Sequence, residues 1–147
     1  MHLLAINLQR SSAISCAVYG NFSAPKVQEI VVARGSGIEL YRPDETGKLI
    51  SINYTPCFCV VRSLQIFRLM GSTVDYLVIG SDSGKLTIVE YNVVPGSGSA
   101  WKLLHSETFG KTGCRRIVPG QYLAADPNGR ALLVAGVEKQ RFVYVMN

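Results

Sequence analysis

Tyr76 to Tyr91 (YLVIGSDSGKLTIVEY) decides the fold. Tyr76 to Gly80 is a short apolar run rich in β-branched side chains, the pattern of a strand covered on both faces. Ser81-Asp82-Ser83-Gly84 then supplies glycine where a tight turn needs positive φ, and an aspartate able to satisfy local backbone donors. Leu86 to Tyr91 alternates apolar with polar residues. The stretch therefore reads as an antiparallel hairpin.

The same unit occurs on either side. Glu29 to Ala33 (EIVVA) and Ala131 to Ala135 (ALLVA) are runs of the same kind, followed by alternating segments at Ile38 to Tyr41 and Phe142 to Val145. With Val32, Ile79 and Val134 taken as equivalent, the spacing is about fifty residues, near the blade length of propeller repeats. Further strands are predicted before each hairpin, at Ile14 to Tyr19, Val60 to Arg68 and Ile117 to Ala125. Fourth strands are predicted at Lys48 to Tyr54 and Trp101 to Thr108.

The fold expected is thus all-β, a partial β-propeller of about three WD40-like blades. Residues 11–55 form the first blade, 56–109 the second, and 110–147 an incomplete third that stops at Asn147 after its third strand. An arc of this kind is expected to be the opening part of a larger ring, with its first and last blades presenting uncovered apolar faces.

Turn chemistry supports two hairpins directly. Arg34-Gly35-Ser36-Gly37 serves the first as residues 81–84 serve the second. The third connection, Val137-Glu138-Lys139-Gln140, holds neither glycine nor asparagine and is placed by repeat position alone. Pro25, Pro43, Pro56, Pro95 and Pro127 lie between predicted strands, where a missing backbone donor is tolerated. Pro119-Gly120 predicts a bulge inside the strand that opens the third copy.

Composition agrees with blades that need neighbours. Hydrophobic residues make up 48% of the chain and charged residues 17%, below the charged share of about 25% usual for a soluble domain. Leu49 to Val61 is uncharged but too short, and interrupted by Asn53 and Pro56, for a membrane span of ~20 apolar residues. Met1 to Gln9 has no Lys or Arg before its apolar run, so it makes a poor export signal. The sequons at Asn21 and Asn53 are then read as chance matches, and the four cysteines as thiols and not as a disulfide framework.

Catalytic and metal chemistry finds little to build on. Cys57 and Cys59 would share one face of an extended strand, but the paired Cys-x-x-Cys spacing of structural zinc is missing, and packed thiols are the reading adopted. Gly110-Lys111-Thr112 resembles the end of a phosphate-binding loop, yet the position needing the earlier glycine is His105 and a strand follows where a helix is required. Gly80 to Gly84 is no nucleophile elbow, because a hairpin follows it. Only His2 and His105 could serve as imidazole bases. No catalytic residue, metal ligand or cofactor is assigned.

Net charge is +5, from fifteen Lys and Arg against ten Asp and Glu. Lys111, Arg115 and Arg116 cluster where the third copy begins and form the one candidate surface for a nucleic-acid or acidic partner. The aromatics are scattered over strand positions (Tyr19, Phe22, Tyr41, Phe67, Tyr76, Tyr91, Phe109, Tyr122). That pattern suits core packing better than a base-stacking platform.

Several segments carry a family likeness. Leu8 to Val18, Gly20-Asn21-Phe22-Ser23, Gln28 to Arg34, Glu39 to Asp44, Asp75 to Lys85 and above all Glu107 to Asp126 (ETFGKTGCRRIVPGQYLAAD) resemble the amino-terminal region of the splicing factor 3B subunit 3 family. The likeness spans essentially the whole chain. It extends to two related groups of three-propeller proteins, the damaged-DNA-binding ubiquitin-ligase adaptor and the large cleavage and polyadenylation specificity subunit. The Trp-Asp dipeptide of common propeller repeats is missing, since Trp101 precedes Lys102. The sequence also departs from the family pattern at Tyr54 to Cys59 and Pro95 to Ala100.

The resemblance implies a seven-bladed first propeller in which Leu3 to Leu8, within residues 1–10, is a ring-closing strand. It implies a nuclear, non-catalytic scaffold in precursor messenger RNA splicing, acting in branch-site recognition. Its implied partners are the helical-repeat subunit and the small subunits of the splicing factor 3B complex, with indirect or weak RNA contact and no membrane. The alternative it leaves is a nucleic-acid-binding propeller of the related DNA-repair or 3′-end-processing adaptors.

Overall fold

The computed structural model describes residues 4, 6, 8–93, 100–108, 122–135 and 141–145. Among them there are eleven strands and no helix. The first sheet holds β1 (Ile14–Gly20), β2 (Glu29–Arg34), β3 (Gly37–Pro43) and β4 (Leu49–Pro56). The second holds β5 (Val61–Phe67), β6 (Tyr76–Ser81), β7 (Lys85–Tyr91) and β8 (Trp101–Thr108), and the third β9 (Tyr122–Ala125), β10 (Ala131–Ala135) and β11 (Arg141–Val145). Each is an antiparallel meander with neighbours in chain order. Sheets meet through their leading strands, β1 on β5 and β5 on β9, while the outer strands splay apart. This is the fan of a propeller arc.

Packing explains why the middle strands look uniformly apolar in sequence. Leu77 and Ile79 of β6 enter a cluster with Val31, Ala33, Ile38 and Leu40 of the first sheet. Val78, between them, turns the other way and packs with Leu132 and Val134 of the third. Both faces of the strand are buried, so the alternation of a one-sided sheet disappears. The equivalence of Val32, Ile79 and Val134 holds in the register: each is the fourth residue of its strand, and Ile79 and Val134 both turn toward the preceding sheet.

Turns follow the glycines. Gly35 and Gly84 take φ of +56° and +72°. At Gly37 the requirement is space, because a Cβ there would lie 2.3 Å from Tyr54 Oη. Asp44 closes the β3–β4 turn by accepting from the amides of Thr46 and Lys48, and Asp126 does the same for Asn128 and Arg130. Asp82 behaves differently from expectation. Its carboxylate accepts from Val60 N at 3.0 Å while its own N–H donates to Val60 O at 3.0 Å, so it ties its turn to the strand connection 22 residues earlier.

Three further expectations need correction. Pro43 and Pro56 are the last residues of β3 and β4, not loop residues, and stand at strand ends where the missing donor does no harm. Tyr19 and Tyr122 are more than half exposed, because they sit on the leading strands of their sheets and have no sheet in front of them. The outer face of the third sheet is apolar as expected, with Tyr122, Leu133, Val143 and Val145 exposed. The outer face of the first is not: Arg34 pairs with Glu39 at 3.1 Å, Ser51 Oγ donates to Glu39 at 2.6 Å, and Arg34 donates to Tyr41 Oη at 2.6 Å. Polar pairing replaces bare hydrocarbon there.

Leu4, Ile6 and Leu8 are exposed and lie in no strand. The predicted third turn (residues 137–140), the Pro119-Gly120 bulge, Cys114, residues 95–99 and the phosphate-loop look-alike at 110–112 lie outside the described residues.

Candidate functional site

Four of the segments that carry the family likeness converge on one point of the fold. The loop after β1, Asn21-Phe22-Ser23, needs acceptors for three consecutive amides. Two buried carboxylates supply them. Asp75, just ahead of β6, accepts from Asn21 N at 2.8 Å. Glu29, the first residue of β2, accepts from Phe22 N at 3.1 Å and Ser23 N at 2.8 Å, and from Ser23 Oγ at 2.8 Å.

Each carboxylate is answered by an arginine. Arg42 approaches Glu29 Oε1 through Nη2 at 2.6 Å and Nε at 3.1 Å. Arg68 grips Asp75 with both prongs, at 2.7 and 2.9 Å. Glu29 is fully buried, and burial by itself pushes its carboxyl up; hydrogen bonds from Ser23 and Arg42 outweigh that and hold it below the usual carboxylate range.

The Asp75 half crosses between sheets. Asp75 N also donates to Asn21 O at 2.8 Å, so the two residues bond reciprocally between the first and second blades. With its amide oriented to satisfy both neighbours, the Asn21 side chain donates to Val27 O at 2.8 Å and accepts from Arg68 Nη2 at 3.1 Å. Phe22 is thereby held in the interblade core, edge-on to Trp101 with ring centroids 5.8 Å apart. Beside this clamp opens a cleft of about 370 Å³ that draws Tyr19 from the first sheet, Ile66 and Arg68 from the second, and Pro127 from the turn of the third. It draws on all three sheets.

Chemically, the clamp binds and positions. Its carboxylates are saturated by donors, which leaves neither as a free base. Among the described residues no three His, Cys, Asp or Glu side chains gather to hold a metal. Ser83 Oγ is bonded to Ser81 Oγ at 2.7 Å, and His105 faces Glu107 at 3.6 Å on β8, so the two candidates for hydrolytic chemistry belong to separate local contacts. Cys57 and Cys59 do not lie on an extended strand, because Phe58 between them has φ of +55°. Lys111, Arg115 and Arg116 lie outside the described residues.

Reading by motif missed the clamp. Its signal was present: Glu29 and Asp75 each stand at the head of an apolar run, where an ionised side chain is out of place unless it is paired.

The fold and this site define a class: an arc of a β-propeller whose distinctive residues fasten one blade to the next and shape a cleft between them. The family model described as the RSE1/DDB1/CPSF1 first beta-propeller matches residues 13–147, and the chain belongs to that family. Over its whole length it is 54% identical to splicing factor 3B subunit 3 of Danio rerio and 52% identical to spliceosome-associated protein 130 A of Arabidopsis thaliana. It is 50% identical to the pre-mRNA-splicing factor rse1 of Emericella nidulans. In each case the chain spans 12% of the relative's length.

Proposed function

We propose that this chain is the opening arc of the first, seven-bladed propeller of a splicing factor 3B scaffold subunit, acting without catalysis in branch-site recognition in the nucleus. The observation that carries the reading is identity of about half over the full chain to proteins named as splicing factors. The saturated clamp agrees with a scaffold, since it fixes blade geometry and leaves the cleft at Tyr19 and Arg68 as a docking surface for the helical-repeat and small subunits. Affinity purification of the full-length protein from nuclear extract tests this. Recovery of a large helical-repeat protein and loss of splicing on depletion, restored by adding the protein back, are expected; splicing unchanged by depletion would overturn the reading.

The alternative is direct nucleic-acid binding through Lys111, Arg115 and Arg116, which the positive net charge favours. Three phosphate contacts give a slope of about −2 in log affinity against log salt for single strands. Binding that keeps its strength in added salt, or survives loss of both arginines, excludes that patch.

A further inference from the structure

The connection from β4 to β5 carries Cys57-Phe58-Cys59, and its backbone is unusual. Phe58 is one of two non-glycine residues with positive φ among the described residues, and its ring is 93% exposed, so no packing repays the conformation. An L-residue at φ of +55° lies in the left-handed helical well. Helical geometry of either hand brings Cα atoms two apart to about 5.4 Å, whereas an extended strand holds them at about 6.6 Å. The shorter distance falls at the centre of the range that a disulfide bridges.

Two independent features agree with that approach, and burial pushes the Cys57 thiol up to about 11. Both cysteines line one cleft of about 190 Å³ between the first and second sheets, with Lys85 also on its wall. The segment is pinned at both ends, by Cys57 N donating to Ser36 O at 2.7 Å and Val61 N donating to Gly35 O at 3.0 Å.

We propose that Cys57 and Cys59 form a redox-active dithiol that small peroxides oxidise to an intramolecular disulfide at the joint between the first two blades. The Cys59 thiolate attacks one oxygen of hydrogen peroxide; the S–O bond forms, the O–O bond breaks, and the departing hydroxide takes a proton to become water. Cys57 then attacks the sulfenic sulfur, so the S–S bond forms, the S–O bond breaks and a second water leaves with the remaining thiol proton. Two thiols and one peroxide give one disulfide and two waters, the dithiol losing two electrons. The order of attack follows from the high thiol of Cys57, which makes it the resolving partner.

The test uses the full-length protein, treated with hydrogen peroxide, alkylated and digested with trypsin. Cleavage after Lys48 and Arg62 isolates both cysteines in one peptide, residues 49–62, free of Cys16 and Cys114. The expected product is that peptide lighter by two hydrogens and unalkylated, reversed by dithiothreitol. It should form about tenfold more slowly in Phe58→Val, whose β-branched side chain resists positive φ, and undiminished in Phe58→Gly. Sulfenic or sulfinic acid accumulating on one cysteine without closure would overturn the proposal. So would closure equally fast in Phe58→Val, or in the isolated 49–62 peptide, since the fold would then contribute nothing.

Discussion

Replacing Glu29 by alanine tests whether the buried clamp, and not hydrocarbon packing alone, orders the loop after β1. Glu29 receives five hydrogen bonds, two from the amides of Phe22 and Ser23 that have no other acceptor in the clamp. Stranding a buried donor costs about 1–3 kcal/mol, and two are stranded here. Arg42 adds less, because its side chain is 40% exposed and water can take over its solvation. A local loss of about 3 kcal/mol follows, equal to about 150-fold faster exchange of those two amides. Hydrogen-exchange mass spectrometry of the 21–30 segment in the full-length protein reads this directly. Arg42→Ala should accelerate exchange by no more than about tenfold, since the backbone donors keep their carboxylate. Unchanged exchange in Glu29→Ala, or a larger effect in Arg42→Ala, would refute the assignment of the loop's order to the carboxylate.

Two glycines with positive φ separate strain from steric clash. Gly47 has open space around it, so Gly47→Ala should lose about 1 kcal/mol; Gly129→Ala drives a Cβ into Arg68 O and should lose clearly more, with equal losses on thermal unfolding counting against the contact between that turn and Arg68. Glu29 and Glu39 both titrate below the ordinary carboxylate range, in each case because hydrogen bonds outweigh burial. Their stabilisation is present above the unfolded value of about 4.3 and is lost as pH falls through the lower folded values, so stability should decline from pH 5 towards pH 3 and decline less in Glu29→Ala. A flat profile over that interval would contradict the pairing. Cys57, raised to about 11, should alkylate slowly at pH 8 and still accelerate beyond about pH 10, whereas a rate already level by about pH 10 would place its thiol in water.

Strands were legible in this chain because burial on both faces removes the need for polar positions, and Val78 between Leu77 and Ile79 shows the cause directly. Aspartates in turns were legible as turn residues but not by partner: Asp82 bonds a residue 22 positions away, and no local rule contains that distance. Leading-strand exposure was hidden for a related reason. Tyr19 occupies a strand position like any other, and only the arrangement of sheets leaves it uncovered. The clamp was visible only in pieces, since Asn21, Glu29, Arg42, Arg68 and Asp75 are isolated polar residues in the sequence until the meander brings them together.

That convergence bears on what the family likeness records. Gly20 to Ser23, Gln28 to Arg34, Glu39 to Asp44 and Asp75 to Lys85 hold no catalytic pattern, yet each contributes a residue to the clamp or its pairing. A propeller built on hydrophobic faces alone has no fixed angle between blades, because apolar contact is nondirectional. Reciprocal bonds between Asn21 and Asp75, backed by a two-pronged arginine, supply the missing direction. If the chain serves as the proposed scaffold, holding partners against a rim requires that angle to stay constant. Substitution of the polar residues buried at the joint should therefore disturb blade geometry most, and substitution on the outer strands, whose aliphatic side chains stand exposed on β4 and β8, should disturb it least.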